Sequence, residues 1–556
     1  GNPEGPDPVL ERHIGTGAIS GTYETTRTFQ NGLVLSARRT LPQDLGWYQF
    51  RVTRDSSTDT VTTSSDPNGL ATTYTWDPQG RLTSIQPTGD AQTTICYGSW
   101  SASAPTAPPY ALVLRGISAG CPASRSFSPG IPAEGSGTVE AWAYDGFGRV
   151  IREIRLLPTA TNGTYLAVRV TTRNDAGLVT STSEWTPCGS GSDPFTCFSS
   201  TSGSLTTFSG FDFLGRAHYL TKPDQILVEK WYDDYDYASM RPIPGSDTRE
   251  STITHGVSSG TTWEAVRRDI FGRVIAAAEP ANSEPYGPHS FAEWNVLDKV
   301  CLYTSDRTFA QGSVTQNRSW SYNRFGFLTG SSDPETGQTT YSNFDALGNA
   351  WLRTGGGIAV SSDFDALGRL LRTSSGGIDF ARSYYDGLEG GSARTDAYLG
   401  KLTKKIGYNP GSFENARVED VLFYAGLGGR LSSRQTALYR SGATTPFTTL
   451  EQVQTWNGLG LPASRSLSGP GASMSTNSFY TAGPLTRITS GGQTLASGIS
   501  YHPFGGLASY TTGNGVVTTV SADPNRLPRP SRIQTSGAST NFDTGTISYD
   551  GSGNVI

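Results

Sequence analysis

The sequence predicts an all-β protein, a long antiparallel sheet assembled from β-hairpin repeats. Three observations carry that expectation. An aromatic residue, Asp, two free positions, Gly-Arg and an aliphatic recur along the chain, as in Phe364-Asp365-Ala366-Leu367-Gly368-Arg369-Leu370. Of 556 residues 67 are Gly and 11% are aromatic, while the hydrophobic share is only 35%, the profile of short strands and tight turns. Runs with a 3.6-residue apolar period are nearly missing, the exception being the helical pattern of roughly Glu414 to Leu422.

Each copy of the motif reads as one hairpin. Asp favours the first position of a type I turn, because its carboxylate accepts the backbone N–H groups just ahead. Gly three positions later supplies the positive φ of a turn plus bulge. Residues before the turn alternate, so Tyr74 and Trp76 share one face, as do Trp142 and Tyr144. The candidate turn pairs are Asp77 and Gly80, Asp145 and Gly148, Asp212 and Gly215, Asp269 and Gly272, Asp345 and Gly348, Asp365 and Gly368, and Asp550 and Gly553. On this reading loss of the Asp365 side chain costs about one hydrogen bond, 0.5–1.5 kcal/mol. Looser copies put Asn in place of Asp, as at Asn174, Asn323 and Asn457. Gly326, Gly348 and Gly368 follow one another at 22 and 20 residues, a period of repeat architectures. A second turn precedes the aromatic strand at Asp66-Pro67-Asn68-Gly69 and at Asp333-Pro334-Glu335-Thr336-Gly337, so a repeat is strand, turn, strand, turn.

Taken in order, residues 1–60 read as degenerate early repeats and 61–556 as the regular repeat region, with loop insertions near 97–135, 186–200 and 231–260. No linker divides the chain, and the whole is expected to form one continuous unit, an internal piece of a longer protein. Neither a signal peptide nor a transmembrane run is visible. Five cysteines are too few to build a disulfide fold. Cys188 and Cys197 flank a small polar loop and are a candidate clip, Cys96 and Cys121 flank Pro-rich sequence, and Cys301 is left over. This usage leans toward an oxidising compartment.

Net charge is −5, with 43 basic and 48 acidic residues interspersed, which excludes a nucleic-acid footprint. Many Arg follow the turn Gly and lie near the repeat aromatics, where stacking and hydrogen bonding between repeats account for them. Gly116-Ile117-Ser118-Ala119-Gly120 matches a nucleophile elbow, but Cys121-Pro122 follows where a helix is needed. His13, His218, His255, His289 and His502 show no ligand spacing, and no Cys-x-x-Cys argues for metal. The run Tyr232 to Tyr237 has the acidic-aromatic composition of a sugar or cation site, and reads more simply as a solvated irregularity. The repeated Asp residues each have a turn to cap. No catalytic residue, cofactor or metal is therefore expected.

The motif G-x-x-T-x-Y-x-Y-D-x-x-G-R-L, carried from about Asp66 to the C-terminus, resembles the YD repeat of the RHS-repeat superfamily. That superfamily holds bacterial RHS and wall-associated toxins, the C component of insecticidal toxin complexes and teneurin ectodomains. The resemblance implies a sheet that spirals into a hollow shell or open barrel. It implies a non-catalytic role: encapsulating a C-terminal toxin or effector domain of a larger secreted bacterial protein. The alternative is a cell-surface adhesion module that contacts glycans or a receptor. The expected partners are accordingly an enclosed toxin domain or other segments of the same protein, with neither nucleic acid nor a membrane span. The autoprotease of RHS toxins lies in a later core segment, so none of its residues is carried over to the Asp-Pro pairs at Asp66, Asp77, Asp193, Asp333 and Asp523.

Overall fold

The computed structural model describes the chain except residues 1–10, 15–21, 31, 41–46, 99–107, 123–126, 128–132, 162–163, 189–192, 200–203, 233–234, 237–240, 243–247, 258–259, 282–288, 310–311, 366, 388–395, 410–415 and 538–540. Among the described residues 41 strands form one antiparallel sheet, with a separate two-stranded ladder at Tyr235–Asp236 and Arg241–Pro242. The described residues contain no α-helix; two 3-10 segments, Pro194–Ser199 and Leu427–Gly429, are the helical elements.

Most strands follow one another as a meander, hydrogen-bonded to the next, as in Ala71–Trp76 with Leu82–Pro87 and Ile358–Phe364 with Leu370–Ser375; the short strand Thr186–Pro187 instead pairs back to Thr164–Arg173. The result is a ribbon whose two long sides are made of hairpin turns. The Asp-x-x-Gly turns that follow the motif aromatic all lie on one side, here termed the motif rim. The alternate turns, such as Asp66–Leu70, Lys222–Ile226 and Gly376–Gly377, lie on the other, the plain rim.

A single sheet leaves most strand residues half-buried, and the burial strings of the strands show it. The exception is Tyr110–Arg115, Thr138–Tyr144, Val150–Thr161 and Thr164–Arg173, where Leu112, Leu114, Val139, Leu166 and Val168 are fully buried. This core is covered by Phe127 and by the segment around Cys188 and Cys197. Those two cysteines are bonded to each other, Cys96 is bonded to Cys121, and Cys301 is free.

The helical reading of Glu414 to Leu422 is overturned. Arg417–Phe423 is a strand, paired on one side with Leu402–Tyr408 and on the other with Ser433–Tyr439. Val418, Val421 and Leu422 do have helical spacing, but two flanking ladders outweigh a weak local preference. Glu419 in this strand bonds Arg417 at 2.6 Å and Lys404 at 2.8 Å.

The ribbon also meets itself. Asn68 bonds the backbone of Leu399, 331 residues away, through its amide N to the Leu399 carbonyl and through the Leu399 N–H to its Oδ1. Lys222 donates to the carbonyl of Gly551 over 329 residues. The sheet therefore coils, and one turn of the coil takes roughly that length of chain.

Candidate functional site

With no catalytic grouping predicted, the functional geometry is that of the repeat and of the seam between coils. The motif turns share one bond pattern. At Asp77, Asp145, Asp212, Asp269, Asp345, Asp365 and Asp550 the backbone N–H bonds the carbonyl four residues on. The N–H of each turn Gly bonds the Asp carbonyl at 2.9–3.1 Å. Each of these Gly residues, 80, 148, 215, 272, 348, 368 and 553, has φ between 75° and 89°. The carboxylate closes the turn: at Asp365, Oδ1 accepts the N–H groups of Leu367 and Arg369, both at 2.9 Å, and Oδ2 accepts Arg369 Nε at 2.6 Å. Asn349 and Asn554 replace that guanidinium with an amide at 2.9 and 3.0 Å. Where Asn stands for Asp, as at Asn323 and Asn457, its Oδ1 makes the same two backbone bonds.

At three of the turns these bonds favour the ionised carboxyl. The Arg149 N–H foremost keeps Asp145 below its ordinary value, the Arg273 side chain does so for Asp269, and the Asn554 side chain for Asp550.

The Arg after the turn then reaches the next repeat. Arg216 stacks on Tyr232 at 4.1 Å, Arg369 on Tyr385 at 4.4 Å, Arg273 on Trp294 at 5.6 Å and Arg529 on Tyr549 at 4.4 Å. The same aromatic donates a hydrogen bond back to the residue after that Arg: Trp294 Nε1 to the Val274 carbonyl at 2.9 Å, and Tyr549 to that of Pro530 at 2.6 Å. Trp456 does so to Leu431, and Tyr424 and Tyr501 make the equivalent bond to Leu402 and Leu485, which follow Lys401 and Pro484. Tyr and Trp at this position combine a flat cation-stacking ring with a donor at its far edge, while Phe211, Phe344 and Phe364 keep the ring without the donor.

The seam joins the plain rim of the first coil to the motif rim of the second. Arg430 grips Asp90, Arg487 grips Glu134 at 2.8 and 2.9 Å, and Arg529 reaches Asp224 at 3.0 Å. Thr262 and Ser552 share a hydroxyl bond. At Gly551 the backbones nearly touch: its N–H bonds the Gly256 carbonyl, and a β-carbon there would lie 2.0 Å from the His255 carbonyl oxygen. The seam begins at a cleft of about 400 Å³ lined by Thr25, Arg27 and Phe50 on one side and by Leu367, Arg369 and Gly400 on the other.

Sequence reasoning found the turn residues but missed Asp90, Glu134 and Asp224, which stand in no motif. It also missed the turn Asn295–Lys299, where Asp298 takes the glycine position at φ 60°. Asp386, almost fully buried, joins Arg369 at 2.5 Å. The elbow-like Ser118 lies exposed in a loop, and the described residues that follow it form no helix. His218 is buried and donates from Nδ1 to the Lys230 carbonyl, while His255 meets Glu229 at 2.8 Å. Asp233, Asp234 and Tyr237 lie outside the described residues. Among the described residues no group of three or more His, Cys, Asp or Glu is placed to hold a metal ion. No helix among them is long and apolar enough to cross a membrane.

A family profile for the RHS repeat matches residues 56–91, which span the turns at Asp66 and Asp77. The chain thus carries an RHS repeat over that segment. No curated protein matches it in a sequence search. Solved structures share its fold at low identity. A TcdB2–TccC3–Cdc42 crystal structure superposes with TM-score 0.57 at 14% identity, covering 96% of this chain. A Tc holotoxin pore from Photorhabdus luminescens does so with TM-score 0.56 at 13% identity, and TcdB2–TccC3 without its hypervariable C-terminal region with 0.56 at 14%. The RHS-repeat chain spans only 30% of the length of each.

Proposed function

We propose that this chain is a wall segment of a non-catalytic shell that encloses a toxin or effector domain of a larger, secreted protein. The observation that carries this reading is the seam: a sheet that returns to bond its own rim after about 330 residues is a wall. A flat adhesive strip would have no use for that contact. The likeness of its fold to chains of Tc toxin structures supports the same reading. The repeat chemistry fits a structural part, since the Asp and Arg of the turns are taken up by turn closure, by the next repeat and by the seam. The partner is then the enclosed domain, held by confinement.

The test is limited proteolysis of the full-length gene product under native conditions, followed by mass spectrometry. The reading expects a domain outside residues 1–556 to resist cleavage while the wall is intact, and to be cut once the seam is opened by Arg430→Glu with Arg487→Glu. A domain cut equally fast in both proteins, or specific retention of the chain on a glycan array, would remove the shell in favour of an adhesion module.

A further inference from the structure

One face of the first coil opens into a cleft of about 550 Å³ between the turn Asn174–Leu178 and the strands Leu205–Phe211, Ala217–Thr221 and Leu227–Tyr232. That volume is within the ~300–1,000 Å³ of ordinary small-molecule sites. Its walls are mainly apolar. Leu178, Val179, Phe208, Phe211 and Leu220 line it, and Phe208 stands opposite Leu220 in register. Gly215 admits Leu178 to this wall, since a β-carbon there would lie 2.7 Å from Leu178 Cδ2. The polar groups at the cleft are Arg173, Lys230 and Tyr232. Two of the three cations around it already have a carboxylate. Lys230 pairs with Glu250 at 2.6 Å, and Arg216, stacked on Tyr232, pairs with Asp212 at 2.6 Å.

Arg173 has none among the described residues. Its Nη1 donates to the Gly177 carbonyl at 3.2 Å, and its Nε is buried with no partner. Folded proteins rarely leave a buried donor unmet, because its lost hydration goes unrepaid. The edge of the guanidinium left over, Nε with Nη2, is the one that takes a carboxylate through two parallel bonds. Arg434 uses that edge on Asp420 in this same chain. Arg268 supplies the contrast. It precedes Asp269 as Arg173 precedes Asn174 and bonds the Gly272 carbonyl at the same 3.2 Å, but it is exposed, so water reaches its remaining donors. We infer that the cleft binds a small amphipathic carboxylate, with the anionic group on the Nε–Nη2 edge of Arg173 and a flat hydrocarbon body against Phe208, Phe211 and Leu220. One uncompensated positive charge calls for a monoanion, and apolar walls call for a ligand with more than a charge to offer, which sets inorganic phosphate aside. This site goes beyond the wall reading and does not depend on it.

The experiment is isothermal titration calorimetry of the full-length protein with 2-naphthoate as the probe. Saturable binding of one naphthoate per chain is expected. The neutral isostere 2-naphthamide should bind about tenfold or more weakly to the same protein, a comparison that needs no variant. Arg173→Gln should weaken naphthoate by about tenfold or more and leave naphthamide unchanged, whereas Arg268→Gln should change neither. Acetate, which carries the charge without the body, should not compete at concentrations where naphthoate saturates. Three results overturn the inference: no saturable binding of naphthoate, equal affinity for naphthoate and naphthamide, or equal losses in Arg173→Gln and Arg268→Gln. The last would reveal a general attraction of the surface for anions. None of these results moves the protease protection expected of an enclosed domain, so the shell reading stands or falls separately.

Discussion

Arg430 clasps Asp90 across 340 residues of chain, Nη1 to Oδ1 at 2.6 Å and Nη2 to Oδ2 at 2.7 Å. Two parallel bonds to one carboxylate fix the relative position of two coils that no continuous ladder connects. The N–H of Ala91 beside this pair bonds the Gly458 carbonyl, so the charge pair anchors a backbone contact. We predict that Arg430→Ala and Asp90→Ala each lower stability, with a coupling of about 1 kcal/mol in a double-mutant cycle. Chemical denaturation measures it; additive single effects would mean that the pair positions nothing. Hydrogen exchange at Ala91 should rise in both variants.

Within the repeats, the cost of losing a turn Asp should follow burial. From sequence, Asp365→Ala loses one hydrogen bond. In the structure it loses three and strands the Arg369 guanidinium, whose other partner is the buried Asp386. The cost should be about 3 kcal/mol. Asp77→Ala should cost clearly less, because Arg81 is 47% exposed and water can take over. Gly368→Val should also be severe: φ is +75°, and a β-carbon would stand 3.3 Å from Asn349 Nδ2. Thermal unfolding of the three variants tests the order, and an Asp77→Ala shift as large as that of Asp365→Ala would refute it.

The link between repeats can be cut without touching a turn. Tyr501→Phe removes the hydroxyl that donates to Leu485 at 2.8 Å and should cost about 1 kcal/mol. Arg529→Lys should cost more. It loses the fork that holds both Asp523 and Asp224 as well as the planar stack on Tyr549. Equal shifts in denaturation midpoint would contradict a role for the guanidinium plane.

Acid should loosen the motif rim first. Asp145, Asp269 and Asp550 are held below their ordinary value, and Asp55 is lowered to about 2 by Ser57 and Thr58. A carboxyl depressed in the folded state adds stability that is present above its unfolded value. That stability is lost as pH falls through the folded one. Stability should therefore be flat above about pH 5 and decline from about 4 toward 2. A chain whose unfolding midpoint is unchanged between pH 5 and pH 3 would refute the argument.

The strands and turns were legible because their causes are local. Asp and Gly at fixed spacing close a turn wherever they occur, and the aromatic before them alternates with the strand. The strand at Arg417–Phe423 was misread for the opposite reason: its pairing partners, not its own residues, decide it. The seam was illegible. Asp90, Glu134 and Asp224 occupy dissimilar turns of the plain rim, and their partners lie 305–353 residues away with no sequence period to announce them. The Cys96–Cys121 bond was hidden likewise, because the insertion between them carries no pattern that says where it folds back.

The coil length has a bearing on how the protein is made. Asn68 leaves the ribosome 331 residues before its partner Leu399. At ordinary synthesis rates that interval is roughly 20–60 s. Through it the nascent ribbon grows with its plain rim open, and an exposed run of turns of this kind invites contact with other chains. Polar turns such as Asp66–Leu70 and Lys222–Ile226 keep that waiting edge unattractive until its own second lap arrives to cover it.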